Sequence, residues 1–204
     1  MKTQCNRQIH DRDNWGCLEL IWKNLIGRAA GGSSATARTE ALLAMSETEL
    51  ELPEADRTSP RPDHAALDAL RADLLVAPEN LRKAEPEFAH EEVRRFATSV
   101  RLVRSPSITE TLKTSGPMRW SMSAAKLACE GKLTGADDPN TELAALMAQF
   151  DALGDGSTAR WKDVPLEAVL EMPNAYDLLR HILDAGAADS DDILATFVRV
   201  VSLH

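Results

Sequence analysis

Metal and acid–base chemistry needs histidine, cysteine and carboxylate groups at spacings that bring them to one point, and this chain offers a few such arrangements. Glu87-x-x-His90 would put a carboxylate and an imidazole on one face of a helix, as in one quarter of a dinuclear carboxylate bundle. Asp177 and His181 repeat the pairing four residues apart, but a second Glu-x-x-His with further inward carboxylates is absent. Cys5, His10 and Cys17 have zinc-ligand chemistry without the closely spaced pair that structural zinc sites use, and Cys129 is remote from them. Asp151–Gly156 has the acids and glycines of a calcium loop, yet Leu153 stands at a ligand position and Lys162 falls where the closing glutamate belongs. No glycine fingerprint for a nucleotide phosphate occurs, and no serine sits in a strand-to-helix elbow. The sequence therefore assigns no catalytic residue, no metal site and no cofactor. A helical metal-dependent enzyme built on His90 and neighbouring acids stands as an alternative reading.

Partner recognition has better candidates. From Asn14 to Ile26, Trp15, Leu18, Trp22 and Leu25 recur at three, four and three residues, flanked by Ile21 and Ile26, which is the stripe of an amphipathic helix. Such a helix either docks on its own core or offers Trp15 and Trp22 to a partner as indole anchors. A second candidate is electrostatic. Residues 93–132 hold eight bases against two acids, a local balance of +6 in a chain of net charge −9. Arg94, Arg101 and Arg104 share one side of the helix predicted there and could form a rim facing phosphate or a carboxylate-rich surface. The competing assignment pairs the same bases with the chain's own acidic flanks. Among these flanks is the run Glu47, Glu49, Glu51, Glu54 and Asp56, which reads most simply as a solvated face.

The elements that would position these residues are helical. Aromatics make up only 4% of the chain and many apolar positions are Ala or Leu, a composition that favours helices over a sandwich or barrel. Caps are expected at Asp63, Ser107, Asp138, Asn174 and Asp189, each ahead of an apolar run. The helix from Asp63 would bury Leu67, Leu70 and Leu74, the next would bury Val93, Phe96, Val100 and Val103, and a short Ala-rich helix would run from Ser121 to Gly131. From Asp138 to the end, four further short helices are expected, the last carrying Ile193, Phe197, Val200 and Val201, with Gly154–Thr158 and Pro60–Pro62 outside regular elements. The fold class is all-α, an irregular multi-helix bundle with several short capped helices and extended connecting loops. Three parts are expected: 1–36, an N-terminal amphipathic helix with a Gly/Ser/Ala-rich linker; 37–62, an acidic helix with a Pro-containing connector; and 63–204, the main helical domain.

Composition also limits partners. The acidic balance opposes nonspecific binding to nucleic acid or anionic lipid, no apolar run is long enough to span a membrane, and three cysteines make no disulfide framework. No basic-then-apolar leader opens the sequence, so the expected compartment is a reducing cytoplasm. The functional expectation is a non-enzymatic protein-interaction or assembly-adaptor protein whose partner is another protein or a second copy. A nucleic-acid-associated role for the basic 93–132 region stands as the second alternative, disfavoured by the overall charge, and no membrane partner is expected.

Overall fold

Short helices stay folded when their ends are capped and one face is buried, and both conditions recur along this chain. The computed structural model describes residues 14–79, 85–153 and 156–185 together with Val198. The expected helix after Asp189, and the Cys5 and His10 thiol and imidazole, lie outside those residues. The helices are α1 (Asn14–Leu25), α2 (Ala35–Glu49), α3 (His64–Ala72), α4 (Glu91–Arg104), α5 (Ile108–Leu112), α6 (Arg119–Gly135), α7 (Pro139–Leu153), α8 (Val164–Leu170) and α9 (Ala175–Ala185). Tighter 3-10 turns occupy Glu54–Asp56 and Gly156–Asp163. Among the described residues β pairing is limited to two isolated bridges, so the fold is the all-α bundle of short capped helices that the sequence implies. Asp63 accepts from the Ala66 amide at 2.5 Å, Ser107 from the Glu110 amide at 3.4 Å and Asp138 from the Asn140 amide at 3.1 Å. Ser34 caps α2 by accepting from the Ala37 amide at 3.0 Å.

Contacts group the chain into one unit of Leu18–Ala124 and another of Met1–Cys17 with Ala125–His204, the division falling inside α1 and inside α6. In the 18–124 unit, α2 is central and packs on both α3 and α4. Its buried Ala41, Leu42 and Met45 join Ile26, Leu67, Leu70, Leu75, Val76 and Ala97 in one apolar cluster. Between α1 and α2, Gly31 and Gly32 hold φ values of +58° and +79°, and reciprocal hydrogen bonds between Ala30 and Ser33 close a tight turn around them. A Cβ on Gly31 would stand 3.1 Å from Cβ of Ala69, so the turn lies directly against α3.

Two helix ends depart from the usual chemistry. α2 and α3 both close with an amide bonding back five residues, Leu52 to the Glu47 carbonyl at 3.0 Å and Leu75 to the Leu70 carbonyl at 2.9 Å. Such an end needs one residue in the left-handed region, ordinarily glycine. Here Glu51 (φ +55°) and Leu74 (φ +59°) occupy it. Each reversal turns the following chain inward, burying Leu50 and Leu52 after α2 and Leu75 and Val76 after α3. Leu74 itself corrects an expectation. Its four-residue spacing from Leu70 places it in the core of a continuing helix, but α3 stops at Ala72 and the reversal leaves Leu74 69% exposed.

α4 also differs from its sequence pattern. Val93, Val100 and Val103 are only half-buried, while Phe96, Ala97, Thr98, Ser99, Arg101 and Leu102 are enclosed, so its middle turns are surrounded on most sides rather than along a valine stripe.

In the other unit, α7 packs on the Gly156–Asp163 turn and on α8, and α9 packs on both helices. Of the loop expected at Gly154–Thr158, Gly154 lies outside the described residues and Gly156–Thr158 instead begin that 3-10 turn, which carries the fully buried Trp161 into the core. The indole meets Phe150 at a centroid distance of 6.3 Å, and Leu143, Leu146, Val164, Leu166 and Val169 are buried with them. α6 runs four residues past the Gly131 expected to end it, because Gly131 has a packing role within the helix. A Cβ there would stand 2.8 Å from two atoms of the Trp15 ring, so the missing side chain makes room for the indole. Glu171 accepts from Lys126 at 2.6 Å and from Asn14 at 3.2 Å, joining α6 and the start of α1 to the end of α8.

Candidate interaction surface

The basic stripe on α4 faces acids on α2. Three pairs run antiparallel along the two helices: Arg94 with Glu49 at 3.8 Å, Arg101 with Glu47 at 2.6 Å and Arg104 with Glu40 at 3.4 Å. Both members of the central pair are buried. Arg101 Nε donates to Glu47, and its Nη2 donates to the Asp56 carbonyl at 3.3 Å. Glu47 also accepts from the amides of Thr58 and Ser59 and from the Thr58 hydroxyl, so one carboxylate fastens α4 and the 56–59 loop to α2. Burial works to raise the Glu47 carboxyl. The Thr58 amide, the Arg101 guanidinium, the Thr58 hydroxyl and the Ser59 amide outweigh it and hold the group below the ordinary glutamate range.

The other two arginines lie nearer the surface. Arg94 pairs additionally with Glu91 and stands over the Trp120 ring at 5.1 Å, a cation–π contact. The side chain of Arg104 is 51% exposed, the most open of the three. Of the acidic run, Glu47 is buried at the base of a cleft of about 1020 Å³ that Glu49, Glu51 and Glu54 line with it, together with Arg57, Arg61 and Glu87.

The tryptophans are placed separately. Trp22 lies against the core of the 18–124 unit, its ring edge-on to Phe96 at 5.3 Å, and Trp15 rests on Gly131 in the other unit. Both are half-buried. The apolar stripe of α1 is consequently split along its length. Ile26, just past the helix, and Trp22 face inward, whereas Ile21 and Leu25, one turn apart, are 51% and 41% exposed.

The exposed edge of that stripe adjoins the reversed end of α3 through a buried arginine. Arg38 has no exposed side-chain surface, and its Nη2 donates both to the Leu25 carbonyl at 3.0 Å and to Asp73 at 2.6 Å. One nitrogen thereby holds the last turn of α1 beside the residue preceding Leu74. Arg38 Nε and Nη1 have no hydrogen-bond partner, so this burial of charge is only half compensated. The Arg38 hydrogen bond, with Arg28 at 3.6 Å, holds the Asp73 carboxyl below the ordinary aspartate range. Arg28 pairs with Asp73 at the reversed end of α3, and Lys23 pairs with Glu19 at 3.2 Å on the face of α1 away from Ile21 and Leu25.

Acid–base candidates are not assembled. Glu87 lies in the short extended pairing in which the Ala77 amide donates to its carbonyl, and His90 is the N-terminal cap residue of α4, so the two do not share a helical turn. That removes the geometry on which the His90 enzyme reading depended. Among the described residues no group of three His, Cys, Asp or Glu is placed to hold a metal ion. Cys129 is fully enclosed, and burial with the nearby charges of Glu130 and Glu142 pushes its thiol far above the usual range, which keeps it protonated and unreactive.

Ile21, Leu25 and Leu74 as a surface escaped sequence reasoning, because periodicity gives the phase of an apolar stripe but not its covered half. The α2–α4 pairing did leave a signal. Acids along 40–49 and bases along 94–104 mark two helices of opposite charge able to face each other, though not their register: Glu40 and Glu47 are seven residues apart and their partners Arg104 and Arg101 only three.

No protein-family model, curated protein or solved structure matches this chain. Among the described residues no helix is long and apolar enough to cross a membrane.

Proposed function

We propose that this chain is a helical protein-contact domain of the adaptor or assembly kind, and that its contact surface is the corner formed by Ile21 and Leu25 of α1 and Leu74 after α3. The observation that carries the reading is Leu74. A leucine in left-handed backbone costs about 1–2 kcal/mol; the reversal it makes buries Leu75 and Val76, but its own side chain stays exposed where glycine would serve the turn without that cost. Backbone strain at an exposed apolar residue is a cost that a contact with another protein can offset, and two more exposed aliphatic side chains, Ile21 and Leu25, lie on the helix whose last turn Arg38 ties to the neighbouring Asp73. The nucleic-acid alternative requires cations free to reach phosphate, whereas Arg94, Arg101 and Arg104 each lie within 4 Å of a carboxylate on α2.

Carbene footprinting of the full chain tests the proposal, applied both at high dilution and to whatever assembly the chain is purified in. Ile21, Leu25 and Leu74 should be labelled in the dilute chain and protected in the assembly, while Met118, another exposed apolar side chain, stays labelled in both. Equal labelling of the corner in the two states would remove the assignment.

A further inference from the structure

We draw no further inference here: the strongest candidate, the cleft of about 1020 Å³ beside the 56–59 loop, lined by Glu49, Glu51 and Glu54, rests on an acidic cluster that Arg57, Arg61 and the Glu49 partner Arg94 partly answer, and nothing in the structure shows what fills it.

Discussion

The α2–α4 seam and the α1–α3 corner treat charge and apolar surface in opposite ways. At the seam, Glu47 and Arg101 are buried, and the carboxylate accepts from three protein groups besides the guanidinium. At the corner, Ile21, Leu25 and Leu74 face outward, and the buried Arg38 beneath them leaves two of its nitrogens without partners. A well-satisfied buried ion network holds the fold together by making any other arrangement costly. The corner closes α3 and buries Leu75 and Val76, but it does so with exposed aliphatic groups, a strained leucine and a half-satisfied arginine. The contrast separates the surface that maintains the structure from the surface proposed for a contact.

Glu47→Ala should give the largest effect at the seam. Removing the carboxylate leaves Arg101 buried and unpaired and frees the 56–59 loop, at a cost of about 3–5 kcal/mol in chemical denaturation. Arg38→Met at the corner should cost far less, because it also removes two unbonded buried nitrogens and leaves Asp73 with Arg28. Equal losses in the two variants would erase the distinction.

Acid should act on both regions in one direction. The Glu47 and Asp73 carboxyls are held below their ordinary values, so each is more acidic in the folded chain than in the unfolded one. Their contribution is therefore complete at neutral pH and is lost as pH falls below the ordinary carboxylate range toward the folded values. Thermal unfolding across that interval should show stability falling with acid, and Glu47→Gln should flatten the slope. An unchanged slope would mean that the Glu47 network does not carry the dependence.

Much of this architecture was legible in the sequence. Three- and four-residue apolar spacings with capping residues at Asp63, Ser107 and Asp138 give the helices because each is a local signal, settled within one or two turns. What escaped was set by tertiary context. Leu74 reads as core because nothing local announces that α3 stops two residues earlier, with a leucine where glycine would ordinarily stand. Gly131 reads as a terminator because its use as a seat for Trp15, far away in sequence, is invisible to a local pattern. Arg101 reads as surface because an arginine is buried only when a carboxylate and a carbonyl are waiting, and those come from α2 and the following loop. For the same reason the candidate site was half legible: the stripe of α1 was evident, but its division into a docked edge at Trp22 and an open edge at Ile21 and Leu25 depends on where α4 places Phe96.

A smaller effect, of opposite sign, belongs to the corner. Leu74→Gly relieves the left-handed leucine and gives back part of the gain through the greater freedom of glycine in the unfolded chain, a net stabilisation of about 0.5–1 kcal/mol. The same change should weaken whatever contact the corner makes. Stability and association moving apart in one substitution is the signature of a residue retained for binding, and a loss of stability would instead place Leu74 among the groups that hold the fold.

The most direct test is the unfolding free energy of the Ile21→Gln, Leu25→Gln chain, measured at dilution low enough to exclude association. If these side chains serve a contact, the variant should match the wild type to within about 0.5 kcal/mol, as surface positions do. A loss of about 3 kcal/mol or more would show that Ile21 and Leu25 belong to the core, and the corner would then be no interaction surface at all.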